Sequence, residues 1–166
     1  MITVKHISKS FADVQILKDV SFVFETGKTN LIIGKSGSGK SVLTKCIVGL
    51  FEPDEGEIFY DERKLSDLKP KARKEIRKEI GMLFQASALF DSLTVEENVA
   101  FPLNMFTKMT KEEISDRVNF CLNRVNIINK NQLFPSELSG GMQKRVAIAR
   151  AIATVSYTHL TLPRVT

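Results

Sequence analysis

A run of residues early in the chain has the types and spacing that bind a chain of phosphates. It fits the pattern G-x-x-x-x-G-K-[ST] at every fixed position and consists of Gly34, Lys35, Ser36, Gly37, Ser38, Gly39, Lys40 and Ser41. Glycine has no Cβ atom, so the backbone can wrap closely around an anion with its N–H groups pointing inward. The lysine of this pattern contacts β- and γ-phosphates, and the final serine hydroxyl is a ligand for Mg²⁺. The spacing predicts a nucleoside-triphosphate site; a Gly- and Ser-rich turn before a helix is the structural alternative.

The sequence on both sides of this loop predicts the strand and the helix that must position it. The apolar run 31–33 predicts a buried strand, and the segment 41–50 predicts a helix whose N-terminal dipole attracts phosphate. A second apolar strand is predicted at 81–84 and ends at Gln85. Strand, loop and helix in this order are the context in which the motif works.

Hydrophobic periodicity and capping residues predict the remaining elements. Alternating apolar residues predict strands at 2–9 and 15–25, joined by a turn at Ala12 and Asp13, which form an antiparallel layer ahead of the loop. A short strand is predicted at 57–60. Four helices are also predicted. One covers 70–79, and one runs from near Ser139 to about Ala153. Of the other two, one begins at residue 95 after a Thr94 cap and one follows the capping box of Thr110 and Glu113.

Composition indicates a globular protein of the cytoplasm. The 166 residues are 43% hydrophobic and 26% charged, and no apolar run approaches the roughly 20 residues of a membrane span. Cys46 and Cys121 lie on apolar faces of predicted helices, which predicts reduced core residues rather than a disulfide or a metal site. The net charge is +5, and basic residues cluster at 69–78. A solvated helix face is the favoured interpretation, ahead of contact with anionic lipid or nucleic acid.

A second pair of glycines lies at the start of the last predicted helix, in the stretch Leu138-Ser139-Gly140-Gly141-Met142-Gln143. Ser139 can cap this helix, and the two glycines leave its first N–H groups open to a phosphate group. Taken alone, the stretch is also explained as an ordinary capped helix. Its occurrence downstream of a phosphate-binding loop favours a second phosphate contact.

Together these motifs resemble the Walker A loop and the signature of ATP-binding cassette (ABC) proteins, over roughly residues 2–153. The resemblance implies an α/β P-loop NTPase fold of the ABC-ATPase type: an N-terminal antiparallel β layer, a partial parallel-sheet core, and a helical subdomain at about 86–138. It implies ATP and Mg²⁺ as ligands, with Lys40 and Gln85 catalytic, Ser41 and Gln85 at the Mg²⁺ ion, and Phe11 stacked on adenine. The alternatives are a polar strand-end residue for Gln85 and a core or edge aromatic residue for Phe11.

The resemblance also implies partners. Ser139, Gly140, Gly141 and Gln143 would contact the γ-phosphate of ATP held by the Walker A loop of a second copy, so the parent protein is expected to form a homodimer. Such a dimer couples ATP hydrolysis to transport through an integral-membrane permease. It is expected to lie peripherally on the cytoplasmic face of the inner membrane, without a nucleic-acid partner.

The finer resemblance is to Mla-type phospholipid and organic-solvent-tolerance transporters of bacteria. It is carried by the stretches 82–85, 88–90, 98–103 and 134–138, with Lys144 and Arg145. It implies phospholipid transport across the envelope and a lipid-binding accessory protein. A permease helix would dock on Phe84, Phe90, Phe101 and Phe106, unless these residues form the helical core. The alternatives are the ATPase subunit of a polar-solute importer, such as an amino-acid importer, and a soluble ABC protein outside transport.

Several parts of an ABC ATPase have no counterpart in this sequence. The Walker B strand with its catalytic glutamate, the D-loop and the switch histidine are missing, and the histidines present are His6 and His159. We therefore expect a reading frame that is truncated, incomplete at the C-terminus of the domain at 1–153, with a non-native tail at 154–166. The parent protein is expected to be an ATPase, and the fragment to bind nucleotide weakly with negligible turnover.

Overall fold

The computed structural model describes residues 1–84 and 87–154. The chain divides into two compact units, the first comprising Met1–Arg77 and the second beginning at Lys78. The first unit contains a β-sheet with two helices, and the second contains helices alone among its described residues.

A four-stranded antiparallel sheet forms the framework of the first unit, in the order β2-β1-β3-β4. Its strands are β1 (Ile2–Phe11), β2 (Val14–Phe24), β3 (Glu55–Tyr60) and β4 (Arg63–Lys64). β1 pairs with β2 on one side and with β3 on the other, so Val4 lies opposite both Phe22 and Ile58. This confirms the predicted antiparallel layer and the predicted short strand before Tyr60.

Two helices belong to this unit. They are α1 (Lys40–Ile47) and α2 (Pro70–Glu79). α1 buries Leu43, Cys46 and Ile47, and Cys46 is a free thiol, as predicted for a core residue. Burial raises the pKa of this thiol, which keeps it protonated and unreactive.

The bounds predicted for α2 are confirmed, and its basic residues divide into two groups. The guanidinium of Arg73 donates to Glu52 at 2.8 Å and to the carbonyl of Leu68 at 3.1 Å, and Arg77 donates to the carbonyl of Gly49 at 3.1 Å. Ile76 faces the core, with 1% of its surface exposed. Two arginines of the basic cluster therefore hold the unit together. Lys69, Lys71 and Lys74 are exposed, as predicted for a solvated face.

The structure differs from the expectation at both apolar segments predicted as parallel strands. Residues 31–33 and 81–84 have no regular secondary structure, and Leu31 and Leu83 are exposed. A strand forms only where a neighbouring strand accepts and donates its backbone hydrogen bonds, and no described residue pairs with either segment. The partial parallel-sheet core is therefore not formed within the described residues.

The second unit packs three helices around one apolar core. They are α3 (Val95–Phe106), α4 (Lys111–Arg124) and α5 (Gly140–Ile152), with a 3₁₀ turn at Pro135–Glu137 before α5. The predicted Thr94 cap is part of a full capping box with Glu97, and the predicted box of Thr110 and Glu113 is present. The core extends past residue 138 to include α5 and contains the free thiol of Cys121.

Across the described parts of both units, no helix has the length and apolar character needed to cross a bilayer.

Candidate functional site

The phosphate-binding loop turns directly into helix α1 through a glycine with no room for a side chain. Gly39 has φ +86° and precedes the first helical residue, Lys40. A Cβ atom on Gly39 would lie 2.9 Å from Cδ2 of Leu17 and 3.1 Å from the carbonyl oxygen of Ile16, both on β2. The left-handed backbone and this close approach both require glycine. The sheet therefore sets where the loop ends and the helix begins.

Lys40 holds the two ends of the loop together. Its ammonium group donates to the carbonyl oxygens of Gly34 and Lys35, each at 2.7 Å. A Cβ atom on Gly34 would lie 2.5 Å from Oγ of Ser38, so the loop is closed tightly upon itself. An ammonium group has three N–H donors, so Lys40 can hold the loop and also contact a phosphate oxygen.

The beginning of α1 is suited to an anion. It has no side-chain cap and no acidic residue in its first turn. The first N–H groups of a helix have no carbonyl partner within the helix, and the helix dipole places partial positive charge there. The loop residues Ser36, Gly37 and Ser38 before it are exposed. These features fit a polyphosphate better than a bare structural turn.

Ser41 is exposed at the second position of α1. No group of three or more His, Cys, Asp or Glu side chains in residues 1–84 and 87–154 could hold a metal ion. A Mg²⁺ ion at this loop would have the Ser41 hydroxyl as its ligand from the loop, completed by phosphate oxygens and water. That set is chemically sound, because Mg²⁺ prefers oxygen ligands and keeps much of its water.

Phe11 lies at the end of β1, with 42% of its surface exposed. Its ring meets Phe51 edge-on, with the ring centroids 5.3 Å apart, and the ammonium group of Lys9 lies 5.5 Å from its centroid. An exposed ring beside a cation can stack on a base, so the predicted adenine contact stays a prediction.

The signature residues begin helix α5 in the second unit. Ser139 is the N-cap, and its hydroxyl accepts from the N–H of Met142 at 3.3 Å. Gly140 and Gly141 are exposed, and a Cβ atom on either would meet nothing within 4 Å. Within residues 1–84 and 87–154, no neighbouring atom requires glycine at these positions.

Gln143 has a role within the chain that its sequence position did not indicate. Its side-chain amide donates to the carbonyl oxygens of Pro135 at 2.8 Å and of Leu138 at 3.4 Å. These bonds tie the 3₁₀ turn to α5 and direct the amide nitrogen inward. The predicted contact of Gln143 with a γ-phosphate stays a prediction.

Two other predictions concern residues outside the described part of the chain. Gln85 is one of them, so its predicted contact with Mg²⁺ and water stays untested. The other is the non-native tail predicted at 154–166, of which residues 155–166 lie outside the described part of the chain.

Two residues of the second unit have roles that sequence reasoning missed. Asn98 is fully buried, and its side chain bonds to the backbone of Phe90, Leu93 and Thr94. Arg150 on α5 donates to the carbonyl oxygens of Ser87 and Ala88. For Asn98, the sequence signal for this role was weak, because it is only a polar residue within an apolar helix stripe. For Arg150, the sequence contains no such signal.

Two of the four phenylalanines predicted as a docking surface lie together. The rings of Phe90 and Phe101 are 4.7 Å apart, and 42% and 36% of their surfaces are exposed. Beside them, an open groove of about 570 Å³ is lined by Phe101, Glu96 and Glu97 among others. Phe84 is also exposed, and Phe106 is half-buried.

Comparisons with known proteins agree with the motifs. A family model described as ABC transporter matches residues 17–160. The methionine import ATP-binding protein MetN of Clostridioides difficile strain 630 is 44% identical over 153 residues, covering 92% of this chain and 47% of that protein. The chloroplast protein Trigalactosyldiacylglycerol 3 of Arabidopsis thaliana is 43% identical over 153 residues, covering 92% and 44%. This chain therefore spans a little under half the length of these relatives.

Solved structures show the same fold. The dimeric structure of MJ0796, a bacterial ABC transporter cassette, matches with a TM-score of 0.85 and 37% identity, covering 93% of this chain and 70% of that one. A second dimeric structure of that cassette, in a post-hydrolysis state bound to ADP and phosphate, matches with a TM-score of 0.84 and 36% identity over the same shares.

Proposed function

Since this chain belongs to the ABC transporter family and has its P-loop ATPase fold, we propose that it is the nucleotide-binding part of a transporter's ATP-binding subunit. The observation that carries the proposal is the loop at 34–41. It combines a left-handed Gly39, an uncapped helix start and the Lys40 ammonium group at the mouth of the loop. Among the described residues, α2 also begins beside lysines, at Lys69 and Lys71, but no glycine loop precedes it.

The chemistry of this site is phosphoryl transfer, which depends mainly on positioning and charge. The loop backbone and the first turn of α1 orient the phosphates, and Lys40 neutralises charge on the terminal oxygens. Ser41 would hold a Mg²⁺ ion, and that ion would supply positive charge to offset the negative charge of the phosphates. We propose that the whole protein hydrolyses ATP, and that this chain, without a catalytic glutamate in its sequence, binds ATP with negligible turnover.

The signature residues support a dimer. Gly140 and Gly141 are exposed with open space around them, so their small size leaves the first turn of α5 accessible to a group from a second copy. Structures of a related cassette are described as dimeric. We propose that Ser139 and the two glycines contact the γ-phosphate of ATP held by the partner copy. Replacing Ser139 with arginine is expected to block nucleotide-driven dimerisation of the whole protein in light scattering, and an intact dimer would contradict the contact.

Calorimetric titration of the chain with Mg²⁺–ATP tests the nucleotide site. Lys40→Ala removes a charge-assisted contact of about 1.5–3 kcal/mol, so the Kd is expected to rise about tenfold or more. Lys45→Ala is the matched control, because Lys45 lies on the same helix, with its ammonium group over the Phe51 ring at 5.1 Å rather than at the loop. The Kd of the control is expected to stay within about twofold of the parent value.

The proposal fails if the chain binds ATP with the same Kd in all three forms, because binding would then be independent of the loop. It also fails if Lys45→Ala weakens binding as much as Lys40→Ala, because a general loss of positive charge would then explain both results.

For the transported substrate, we propose an amino acid, with methionine as the first candidate. The support is the 44% identity to a protein named for methionine import, which favours the amino-acid alternative over the phospholipid expectation. The test is uptake of labelled L-methionine by proteoliposomes that contain the whole protein and its permease. Saturable uptake that requires ATP and Lys40 is expected, and uptake of other polar solutes without methionine would redirect the assignment.

Phospholipid transport is the second candidate. A specific observation favours it: a 43%-identical relative is named after a diacylglycerol lipid. The same proteoliposomes distinguish the two, because a lipid transporter would move a labelled phospholipid between leaflets and leave methionine outside. A lipid-binding accessory protein would be expected only in that case.

We propose that the permease contacts the exposed pair Phe90 and Phe101. Apolar rings at a surface favour a protein partner. The adjacent groove is lined by Glu96 and Glu97, whose carboxylates also accept hydrogen bonds from Gln132 and from the N–H of Thr94. Cytoplasmic loops of membrane proteins carry an excess of Lys and Arg, which complements these carboxylates. The subunit would then lie peripherally on the cytoplasmic face. Phe101→Ser is expected to reduce co-purification with the permease, and undiminished co-purification would exclude this surface.

A further inference from the structure

The end of α5 is connected to a segment far from it in sequence. Arg150 donates from Nη1 to the carbonyl oxygen of Ala88 at 2.7 Å and from Nη2 to the carbonyl oxygen of Ser87 at 2.8 Å. A planar guanidinium is well suited to binding two acceptors at once, because its N–H groups form a fixed fork. Arg150 is half-buried, and burial lowers the pKa of its guanidinium while leaving it charged.

The segment that Arg150 binds has an unusual backbone. Ser87 and Ala88 have φ values of 62° and 46°, in the left-handed region that side chains with a Cβ atom rarely adopt. Such backbone persists only where its surroundings impose it, and it concentrates at functional sites. Here the carbonyl groups of both strained residues accept from one guanidinium, so Arg150 is placed to hold this conformation.

The same segment is fixed from a second direction. Two residues further on, the N–H and the carbonyl of Phe90 both bond to the side chain of Asn98 on α3, at 2.8 and 3.1 Å. The guanidinium carbon of Arg150 also lies 5.8 Å from the centroid of the Phe90 ring. The chain from Ser87 to Phe90 is therefore held between α3 and α5.

The bonds from Arg150 connect two parts of the chain that have separate predicted roles. Ser139 and the two exposed glycines form the N-terminal end of α5, and Arg150 lies near its C-terminal end. The strained pair follows Gln85 closely in the sequence and precedes the exposed Phe90. One helix therefore connects the signature residues with this segment.

We propose that Arg150 is a positioning residue, which fixes the backbone at Ser87 and Ala88 to the signature helix so that the two move as one body. Through this bond, closure of the signature onto a nucleotide is transmitted to the segment that carries Phe90. The inference rests on the proposed function, since it needs an ATP-driven closure to transmit.

Hydrogen–deuterium exchange of the chain tests the bond itself. Arg150→Lys keeps the charge but loses the fixed fork of the guanidinium, which places one N–H group against each carbonyl oxygen. Amide exchange between residues 87 and 90 is therefore expected to accelerate about tenfold. The matched control is Arg145→Lys. Arg145 lies on the same helix and also donates to two backbone carbonyl groups, those of Val125 and Asn126, at 3.3 and 3.0 Å. The control should leave exchange at 87–90 unchanged.

ATP hydrolysis by the whole protein with its permease tests whether Arg150 is a positioning residue. If Arg150 positions the segment, Arg150→Lys should lower kcat about tenfold while KM for ATP stays within about twofold. Arg145→Lys should leave both parameters near the parent values. A fall in kcat and stability to the same extent in both variants would reduce Arg150 to a structural contact and overturn the inference.

The failure of this inference differs from the failure of the proposed function. If the parent protein has no ATPase activity that depends on Lys40, the proposed function is wrong. If that activity is present and Arg150→Lys has the kcat of the parent, the inference alone is wrong.

Discussion

Replacement of Asn98 by alanine gives the sharpest test of the second unit. Asn98 is 0% exposed, and its side chain makes a set of short bonds to one loop. Its Oδ1 accepts from the N–H of Phe90 at 2.8 Å. Its Nδ2 donates to the carbonyl groups of Phe90, Leu93 and Thr94 at 3.1, 3.0 and 2.9 Å. Alanine would leave all of these backbone groups without this partner.

The expected cost follows from these bonds. Each contributes about 1 kcal/mol net, and buried groups left unpaired cost about 1–3 kcal/mol each. Water can reach part of the loop, because Phe90 is exposed, and Thr94 has a second partner in the Asn98 backbone N–H. We therefore expect Asn98→Ala to lower the free energy of unfolding by about 2–4 kcal/mol. This is a large fraction of the 5–15 kcal/mol typical of a domain.

Urea unfolding of the chain, followed by far-UV circular dichroism, measures this cost. Asn104→Ala is the control, because Asn104 is an exposed residue of the same helix, and its change is expected to stay within about 0.5 kcal/mol. Asn98→Asp keeps the shape but places a carboxylate beside three carbonyl oxygens, so it should cost more than alanine at neutral pH. The reasoning is refuted if Asn98→Ala and Asn104→Ala have the same urea midpoint.

Three further predictions concern the glycines and one ion pair. Gly39→Ala should lower the free energy of unfolding by about 2–4 kcal/mol in urea titrations, because the new methyl group meets Leu17 in a left-handed backbone; an unchanged midpoint would contradict the close approach. Gly140→Ala should instead raise the free energy of unfolding by up to about 1 kcal/mol, because its Cβ atom meets open space. Sedimentation of the whole protein should show a weaker nucleotide-driven dimer for this variant. An unaffected dimer would argue against the signature contact. Hydrogen bonds from Lys9 and from the Ser10 N–H lower the pKa of Asp54, so its stabilising effect is present at neutral pH and is lost as the pH falls from about 5 toward 2. Asp54→Asn should flatten this part of a stability–pH profile. An unchanged slope would count against the stabilising role of Asp54.

The sequence predicts those parts of the fold that depend on neighbouring residues. The capping boxes at Thr94 and Thr110 are present because each joins residues three positions apart. The hairpin of β1 and β2 is present because its turn at Ala12 is local and its strands pair with each other. The phosphate-binding loop is equally local, because its pattern spans only the residues from Gly34 to Ser41.

Parts of the fold that depend on distant residues were not predictable in this way. The apolar run at 31–33 has the composition of a strand, but its conformation depends on a neighbouring strand that its own residues do not specify. The bonds from Arg150 to Ser87 and Ala88 join residues that no periodicity connects.

The exposed segment 31–33, which precedes the phosphate-binding loop, has a consequence for assembly of the domain. Leu31 and Ile33 expose 75% and 85% of their surfaces, while the far end of the loop is anchored at Gly39 against β2. A strand paired alongside residues 31–33 would bond to their backbone, and an element packed on that sheet face would cover both side chains. The same pairing would fix the backbone that enters the loop. Sheet completion and readiness for nucleotide would then be one cooperative event, so affinity for ATP would report on how far the domain has been assembled.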